Sequence, residues 1–178
     1  GASAGGLEAL EDFFSHVPVA CNMAFVVIQH LDPTHKGIMP ELLQRTTPMT
    51  VAQADNHMKV QPNCVYVIPP NKDLSILNGV LFLLDPLSNR GLRLPIDFFF
   101  RSLANDQHER AVGVILSGMG YDGTLGLRAI KENAGRSLVQ SPESAKFDSM
   151  PGSAINAGLA DIVAPAQELP EQIMAFLK

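Results

Sequence analysis

The sequence predicts an α/β fold in which a mainly parallel sheet is covered by helices on both faces. Three apolar runs with β-branched centres have the length and composition of strands buried on both faces, and they fall at residues 23–29, 64–68 and 111–116. Segments with helical periodicity alternate with these runs, which favours parallel strands joined by helices. The Asn78-Gly79 pair lies between two further β-type runs and predicts a local antiparallel hairpin, because both turn positions need a positive φ.

The other elements follow from apolar spacing and turn signals. The first helix is predicted at residues 7–16, where four apolar residues share one face: Leu7, Leu10, Phe13 and Phe14. Further helices are predicted at 38–47, 96–105, 124–133, 151–156 and 167–178. Further strands are predicted at 50–54, 74–77, 80–84, 137–140 and 159–163. Pro95 suits the first turn of its helix, and Gly135 is expected as the C′ residue that ends the helix at 124–133.

Length and composition predict one compact domain that spans residues 1–178. Hydrophobic residues make up 46% of the chain and charged residues 17%, which is typical of a globular protein. The formal charge is -5 and no cluster of Lys or Arg is present, so nucleic acid and anionic membranes are not expected partners. No signal peptide and no membrane-spanning apolar run is evident, which predicts a cytoplasmic protein.

The two cysteines, Cys21 and Cys64, are too few and too far apart for a disulfide framework or a zinc ribbon. We expect both to be reduced thiols in the core. The chain opens without Met on a glycine loop, and we expect it to be part of a longer polypeptide.

Candidate catalytic residues lie where predicted strands end, because sites in open parallel sheets form beyond the carboxyl ends of the strands. Ser3 stands in the small-residue loop 1–6 before the first helix, His30 follows the strand at 23–29, and Asp122 lies in the glycine-rich loop after the strand at 111–116. A hydroxyl, an imidazole and a carboxylate at one edge are the parts of a nucleophile, its base and the group that orients the base. Their order along the chain differs from that of the α/β-hydrolases, and no G-x-S-x-G motif is present.

Other interpretations of the same residues remain open at this point. Ser3 could serve only as a helix N-cap, or its loop could hold a phosphate at the helix N-terminus, and the Asp122-Gly123 pair could be only a turn. His30, Asp32 and His35 could bind a metal ion with Asp122 as a further ligand, although their spacing matches no strong metal signature.

Residue types that elsewhere mark binding sites have simpler explanations in this sequence. The histidines His16, His57 and His108 stand in polar or helix-end surroundings and are expected in solvent. The aromatic run 98–100 is expected to form the core and rim of one helix instead of a ligand site.

Several stretches together resemble the methylesterase domain of the bacterial chemotaxis receptor methylesterases, the CheB type. They are GASAGG at 1–6, VVIQHLDP at 26–33, VIPP at 67–70, RLPID at 93–97, GVILSGMGYDG at 113–123, GRSLVQ at 135–140 and MPGSAI at 150–155. The resemblance extends over nearly the whole chain, and the GAS-x-GG, QH and GMG-x-DG elements are specific in combination.

The resemblance implies a three-layer α/β/α sandwich and a serine hydrolase without a metal or organic cofactor. Such enzymes remove methyl groups from glutamate side chains of chemoreceptors, release methanol, and also deamidate certain receptor glutamines. By the matching motifs, Ser3 corresponds to the nucleophile, His30 to the base and Asp122 to the carboxylate. Met119 falls at the expected oxyanion wall, where it would act through its backbone N–H.

The sequence departs from the family pattern in ways that bear on regulation and substrate. Ala4 occupies the supporting position after the nucleophile, where many members have Thr, so any hydrogen bond from that hydroxyl is absent. The family's receiver domain is not part of this chain, and control by phosphorylation is not assumed. The stretch 94–104 is more similar to versions fused to a receptor methyltransferase and sensor modules.

The expected partner is therefore a methylated chemoreceptor or another signalling protein. Two alternatives stay open beside the esterase: a non-catalytic docking module that retains the fold, and a metal-dependent hydrolase.

Overall fold

A computed structural model describes residues 1–30, 38–86 and 93–177. Within these residues the α-helices are α1 (Gly6–Phe14), α2 (Met39–Gln44), α3 (Pro95–Gln107), α4 (Thr124–Glu132), α5 (Ser149–Asn156) and α6 (Leu169–Phe176). The strands are β1 (Phe25–Val27), β2 (Thr50–Gln53), β3 (Met58–Lys59), β4 (Cys64–Val67), β5 (Asp73–Leu77), β6 (Val80–Leu84), β7 (Val112–Ile115), β8 (Arg136–Gln140) and β9 (Ile162–Ala164).

The parallel strands form two groups that the first three residues connect. One group has the order β1-β4-β2 and the other β7-β8-β9, and every pairing within them is parallel. Ala2 exchanges backbone hydrogen bonds with the segment after β1, donating to Ile28 O (3.0 Å) and accepting from His30 N (3.1 Å). On its other side, Gly1 is bonded to β7 and its extension, through Val114 O (2.7 Å) and Leu116 N (2.9 Å). The segment 1–3 therefore lies in the middle of the sheet.

Helices cover both faces of this sheet, as the alternation of strand side chains requires. Along β4, Val65 and Val67 belong to one buried cluster, while Tyr66 belongs to the other. The first cluster includes apolar residues of α1, α2 and α6, and the second includes residues of α3, α4 and α5. The predicted three-layer α/β/α arrangement is confirmed.

The predicted hairpin is also confirmed, and it belongs to a small antiparallel sheet with the order β3-β6-β5. Asn78 and Gly79 form its turn with φ of 53° and 72°. The carboxylate of Asp106, near the end of α3, accepts hydrogen bonds from both turn amides. The third strand, β3, was not predicted, because two residues are too short to show a period.

One helix ends differently from the prediction. Ala134, not Gly135, occupies the left-handed C′ position, with φ of 66°. Gly135 is the next residue, and its N–H donates to Ile130 O (2.8 Å) while that of Ala134 donates to Lys131 O (3.1 Å), which is the Schellman pattern. Gly135 is required for space, because a Cβ there would lie 2.6 Å from the side chain of Ile130.

The helix ends, the two cysteines, the three solvent histidines and the aromatic run differ little from the prediction. Helices α2 and α6 are shorter than predicted, and α3 extends two residues further. Cys21 is buried, Cys64 is half-buried and both are free. The side chains of His16, His57 and His108 are exposed, and Phe99 and Phe100 are buried with Phe98 at the rim, as predicted. Among the described residues no helix is long and apolar enough to cross a membrane.

Candidate active site

His30 and Asp122 are paired at the carboxyl edge of the parallel sheet. His30 Nε2 lies 2.7 Å from Asp122 Oδ2, and the aspartate is only 3% exposed. Asp122 Oδ2 also accepts from the N–H of Ile96 (2.9 Å), and Oδ1 accepts from the N–H of Asp97 (2.8 Å). Both amides belong to the first turn of α3, where free N–H groups and the helix dipole stabilise a negative charge.

Ser3 lies between the two groups of parallel strands, three residues before α1 begins. Its N–H donates to Ser117 O (3.0 Å), and its carbonyl accepts from Gly6 N (2.8 Å) and Gln29 Nε2 (2.8 Å). Gly5, with φ of 71°, is the N-cap of α1, and no side chain caps this helix. The N-cap interpretation of Ser3 is therefore wrong.

The hydroxyl of Ser3 has two partners. Ser3 Oγ accepts from the N–H of Met119 (2.9 Å) and donates to Met150 Sδ (3.4 Å). No hydrogen bond between Ser3 and His30 occurs among the described residues. Because Nε2 of His30 is engaged with Asp122, Nδ1 is the nitrogen left to act on the serine.

Two backbone N–H groups belong to the immediate surroundings of Ser3. That of Met119 already points at Ser3 Oγ. That of Ala4, the next residue after Ser3, has no hydrogen-bond acceptor within the described parts of the chain. A backbone N–H directly after a nucleophilic serine is a recurrent oxyanion donor. The absence of a side-chain hydroxyl at Ala4 does not affect this group.

The loop that carries Met119 is fixed by buried polar contacts. Ser117 Oγ donates to Ala4 O (2.8 Å) and accepts from Phe147 N (3.0 Å), which ties three segments together. The N–H of Ser117 donates to Gln140 Oε1 (2.9 Å), and both side chains are buried. Gly118 leaves room for the side chain of Ser3, because a Cβ at residue 118 would lie 2.4 Å from Ser3 Oγ and 2.5 Å from Met150 Sδ.

A second buried carboxyl group, Asp97, adjoins Asp122. Asp97 Oδ1 accepts from Gly123 N (2.9 Å) and from Gly126 N (2.7 Å), which belong to the N-cap and first turn of α4. Asp122 thus receives amides of α3, and Asp97, which belongs to α3, receives amides of α4. Burial and the nearby charge of Asp122 raise the pKa of Asp97, and its hydrogen bonds to backbone amides oppose this only in part.

The other ligand-binding interpretations gain no support from the described residues. Asp32 and His35 of the metal hypothesis lie outside them. Within the ranges 1–30, 38–86 and 93–177, no three His, Cys, Asp or Glu side chains are grouped to hold an ion. In the opening loop, the N–H groups of Ser3 and Gly6 are already bonded within the protein, so neither is free for a phosphate.

Sequence reasoning missed the buried polar residues that support the site. They are Gln29, Asp97, Ser117, Gln140 and the thioether of Met150. Their partners are mostly distant in sequence, so spacing alone could not reveal them. The available signal was a polar residue inside or next to an apolar run, as with Gln29 after the β-branched centre of its strand and Gln140 at the end of β8.

An α/β/α sandwich that gathers a serine, a histidine and a buried carboxylate at the carboxyl edge of its parallel sheet has the layout of an α/β serine hydrolase. The sequence profile of the CheB methylesterase family matches residues 1–173 of the chain. The chain belongs to the CheB methylesterase family.

The curated relatives carry names that agree with this membership. A protein-glutamate methylesterase/protein-glutamine glutaminase of Syntrophomonas wolfei is 33% identical over 99% of this chain and 52% of its own length. The corresponding protein of Desulfotalea psychrophila is 31% identical over the whole chain and half its own length. The chain thus spans about half the length of these relatives. A putative member from Leptospira interrogans, 31% identical, is covered for 89% of its length.

A solved structure supports the same fold. The crystal structure of the Thermotoga maritima CheB methylesterase catalytic domain superposes with a TM-score of 0.90 at 30% sequence identity. The match covers 98% of this chain and 95% of that domain.

Proposed function

We propose that the chain is the catalytic domain of a protein-glutamate methylesterase. It hydrolyses methyl esters of glutamate side chains in chemoreceptors or related signalling proteins, and it deamidates glutamine side chains in the same kind of substrate. The proposal is supported by family membership and by the names of the relatives. The observation that carries it is the His30–Asp122 hydrogen bond of 2.7 Å on the same sheet edge as Ser3, whose Oγ accepts the Met119 amide.

In the proposed reaction the Ser3 hydroxyl leaves Met150 and turns to His30 Nδ1, which takes its proton. Ser3 Oγ forms a bond to the side-chain carbonyl carbon of the methylated glutamate. His30 then returns the proton to the methoxide, so that methanol leaves and an acyl-enzyme remains. Water, deprotonated by His30, hydrolyses the acyl-enzyme and frees Ser3 and the glutamate. With a glutamine substrate the leaving group is ammonia.

Asp122 stays ionised throughout and stabilises the imidazolium that forms on His30. Its charge is supported by the two α3 amides as well as by His30 itself. The N–H groups of Met119 and Ala4 are the proposed donors to the oxyanion of the tetrahedral intermediate. Loss of one such donor in comparable enzymes lowers kcat by about 10²-fold to 10³-fold. None of these steps needs a metal ion.

The surface beside Ser3 suits a protein substrate. Met119 is 61% exposed, and Tyr121 and Phe147 are also exposed in the segments next to the serine. Exposed apolar side chains at a reactive centre favour contact with a folded partner over a small polar metabolite.

We further propose that the full protein carries additional modules, such as a methyltransferase or sensor domain, and that it acts in the cytoplasm on the receptor side chains.

Methanol release from a methylated chemoreceptor fragment tests the proposal, with wild type and Ser3→Ala compared in the presence of a chelator. We expect wild type to release methanol with the chelator present. We expect Ser3→Ala to lower kcat by roughly 10⁴-fold to 10⁶-fold, because the nucleophile and its base act as a unit.

Ser15→Ala is the matched control, since Ser15 is exposed at the opposite end of α1 and bonds only to nearby residues. Its activity should equal that of wild type. Release that persists in Ser3→Ala would exclude the serine mechanism, and release abolished by the chelator would favour the metal hydrolase. Absence of release from both proteins would favour the docking module.

A further inference from the structure

Asp97 is a buried acid that the proposed reaction does not use. Asp97 is 1% exposed, and its Oδ1 accepts hydrogen bonds from the amides of Gly123 and Gly126. Its other oxygen, Oδ2, is buried and has no hydrogen-bond partner among the described residues. A buried charge without full hydrogen bonding is strongly unfavourable, and a group in such a place takes up a proton instead.

Asp97 is also linked to the catalytic carboxylate by two routes. Its own N–H donates to Asp122 Oδ1 (2.8 Å), and its Oδ1 accepts the N–H of Gly123, the residue that follows Asp122. The side chain and the backbone of Asp122 are therefore both held by one residue. Residue 123 has to be glycine for this contact to form, because its φ is 101° and a Cβ there would lie 2.3 Å from the side chain of Ile115.

We propose that Asp97 is a positioning residue for Asp122 and that it carries a proton, so that the pair holds one negative charge, which resides on Asp122. The expected effect on kcat/KM rests on the proposed serine reaction, but the expected protonation of Asp97 and its effect on the His30 pKa do not. The protonated form concentrates the charge next to His30, where the imidazolium forms. The hydrogen bond from Gly123 N–H to Asp97 Oδ1 holds Asp122 at 2.7 Å from His30 Nε2, where its charge stabilises the imidazolium.

The charges around Asp97 support this assignment. Asp122 faces it from the loop before α4, and its negative charge raises the pKa of Asp97 in addition to the larger effect of burial. Arg101, one turn along α3, acts in the opposite direction but is exposed to solvent. The two residues at the start of α4 that donate to Asp97 Oδ1 are glycines, which contribute backbone amides and no charge.

Three variants and one direct measurement test the proposal. The ¹³C shift of the Asp97 carboxyl carbon at pH 7 reports its protonation in wild type, and we expect the protonated form. Asp97→Asn keeps the acceptor oxygen and mimics the neutral acid, so the NMR-measured pKa of His30 and kcat/KM should equal those of wild type. Asp97→Ala removes the acceptor, so the His30 pKa should fall and kcat/KM should drop about 10²-fold.

Asp106→Ala is the control, because Asp106 is on the same helix and also binds backbone amides, but at the hairpin turn away from the site. It should change neither the His30 pKa nor kcat/KM. An ionised Asp97 in wild type would overturn the proposed proton, as would an Asp97→Asn variant with a lowered His30 pKa. An unchanged His30 pKa in Asp97→Ala would overturn the positioning role. These NMR results stand even if the protein releases no methanol, so the two proposals can fail separately.

Discussion

Ser3 depends on its neighbours for both its position and its reactivity. In the described structure its hydroxyl is bonded to the amide of Met119 and the sulfur of Met150, while His30 is bonded to Asp122. Ser3 and His30 are thus each held by other groups, and the proposed reaction requires that substrate binding bring them into contact. Hydrogen bonds of this kind often tighten only when substrate is bound.

Gly118→Ala tests how much free space the nucleophile needs. The added Cβ would overlap Ser3 Oγ and Met150 Sδ, so the serine side chain must move. We expect kcat/KM for ester hydrolysis to fall about 10²-fold, since small displacements of reacting groups have effects of this size. Far-UV circular dichroism should match wild type.

Gly152→Ala provides the matched control in α5, where a Cβ would meet no atom within 4 Å. This variant should keep full activity. Equal activity of Gly118→Ala and wild type would show that the close approach at Gly118 does not constrain the nucleophile.

The proposed catalytic residues could be selected from the sequence, but the residues that support them could not. The strand-edge rule selected Ser3, His30 and Asp122 because each follows or precedes an element of clear periodicity. Asp97 and Gln140 act through contacts to residues more than 20 positions away, which no local pattern encodes. Whether Ser3 attacks as proposed remains a prediction.

Elements with a strong local signal were predicted close to their observed bounds. The hairpin turn at Asn78-Gly79 is an example, because the turn residues determine the pairing by themselves. The end of α4 was predicted one residue too late, since glycine is the usual C′ residue and the structure uses Ala134 there. Gly135 is instead needed because Ile130 and the carbonyl of Ala111 lie close to it.

Ala134→Gly should stabilise the protein, because alanine is strained in the left-handed conformation and glycine is not. We expect the free energy of unfolding, measured by urea denaturation, to rise by about 1 kcal/mol. At the next residue, Gly135→Ala should lower the free energy of unfolding, since the new Cβ would lie 2.7 Å from Ala111 O. A destabilised Ala134→Gly variant would contradict the assignment of Ala134 as the strained C′ residue.

For the whole molecule, the sequence predicted the layers correctly but not how the sheet is assembled. Apolar strands alternating with helices are sufficient to indicate helices on both faces. They do not reveal that residues 1–3 join two groups of parallel strands, because three small residues carry no recognisable strand pattern. Asp32 and His35 lie outside the described residues, so their role in metal binding stays a prediction.

The dependence of global stability on pH should reflect two aspartates with opposite pKa changes. The pKa of Asp97 is raised, mainly by burial, so its contribution to stability is present below the unfolded value of 3.8 and is lost as pH rises. Relative to wild type, Asp97→Asn should therefore gain stability as pH rises from 3.8 to the folded-state pKa of Asp97, with a limiting slope of about 1.4 kcal/mol per pH unit.

Asp106 provides the opposite case. Burial disfavours its charged form, but hydrogen bonds from Gln107 and the amides of Asn78 and Gly79 outweigh this and lower its pKa. Its stabilising contribution is present above 3.8 and is lost as pH falls through the folded-state pKa. The stability deficit of Asp106→Asn should therefore shrink in acid. Urea denaturation at a series of pH values measures the free energy of unfolding of both variants and of wild type. A difference between Asp97→Asn and wild type that does not change with pH would contradict the raised pKa of Asp97.

The hydrogen bonds that Asp122 accepts from two α3 amides make this carboxylate part of the scaffold as well as of the proposed reaction. A family member without the proposed turnover would be free to change Ser3, but a change of Asp122 would also loosen the start of α3. Retention of the aspartate is therefore weaker evidence for the proposed activity than retention of the serine. For the same reason, an inactive variant intended to trap substrate is better made at Ser3 than at Asp122.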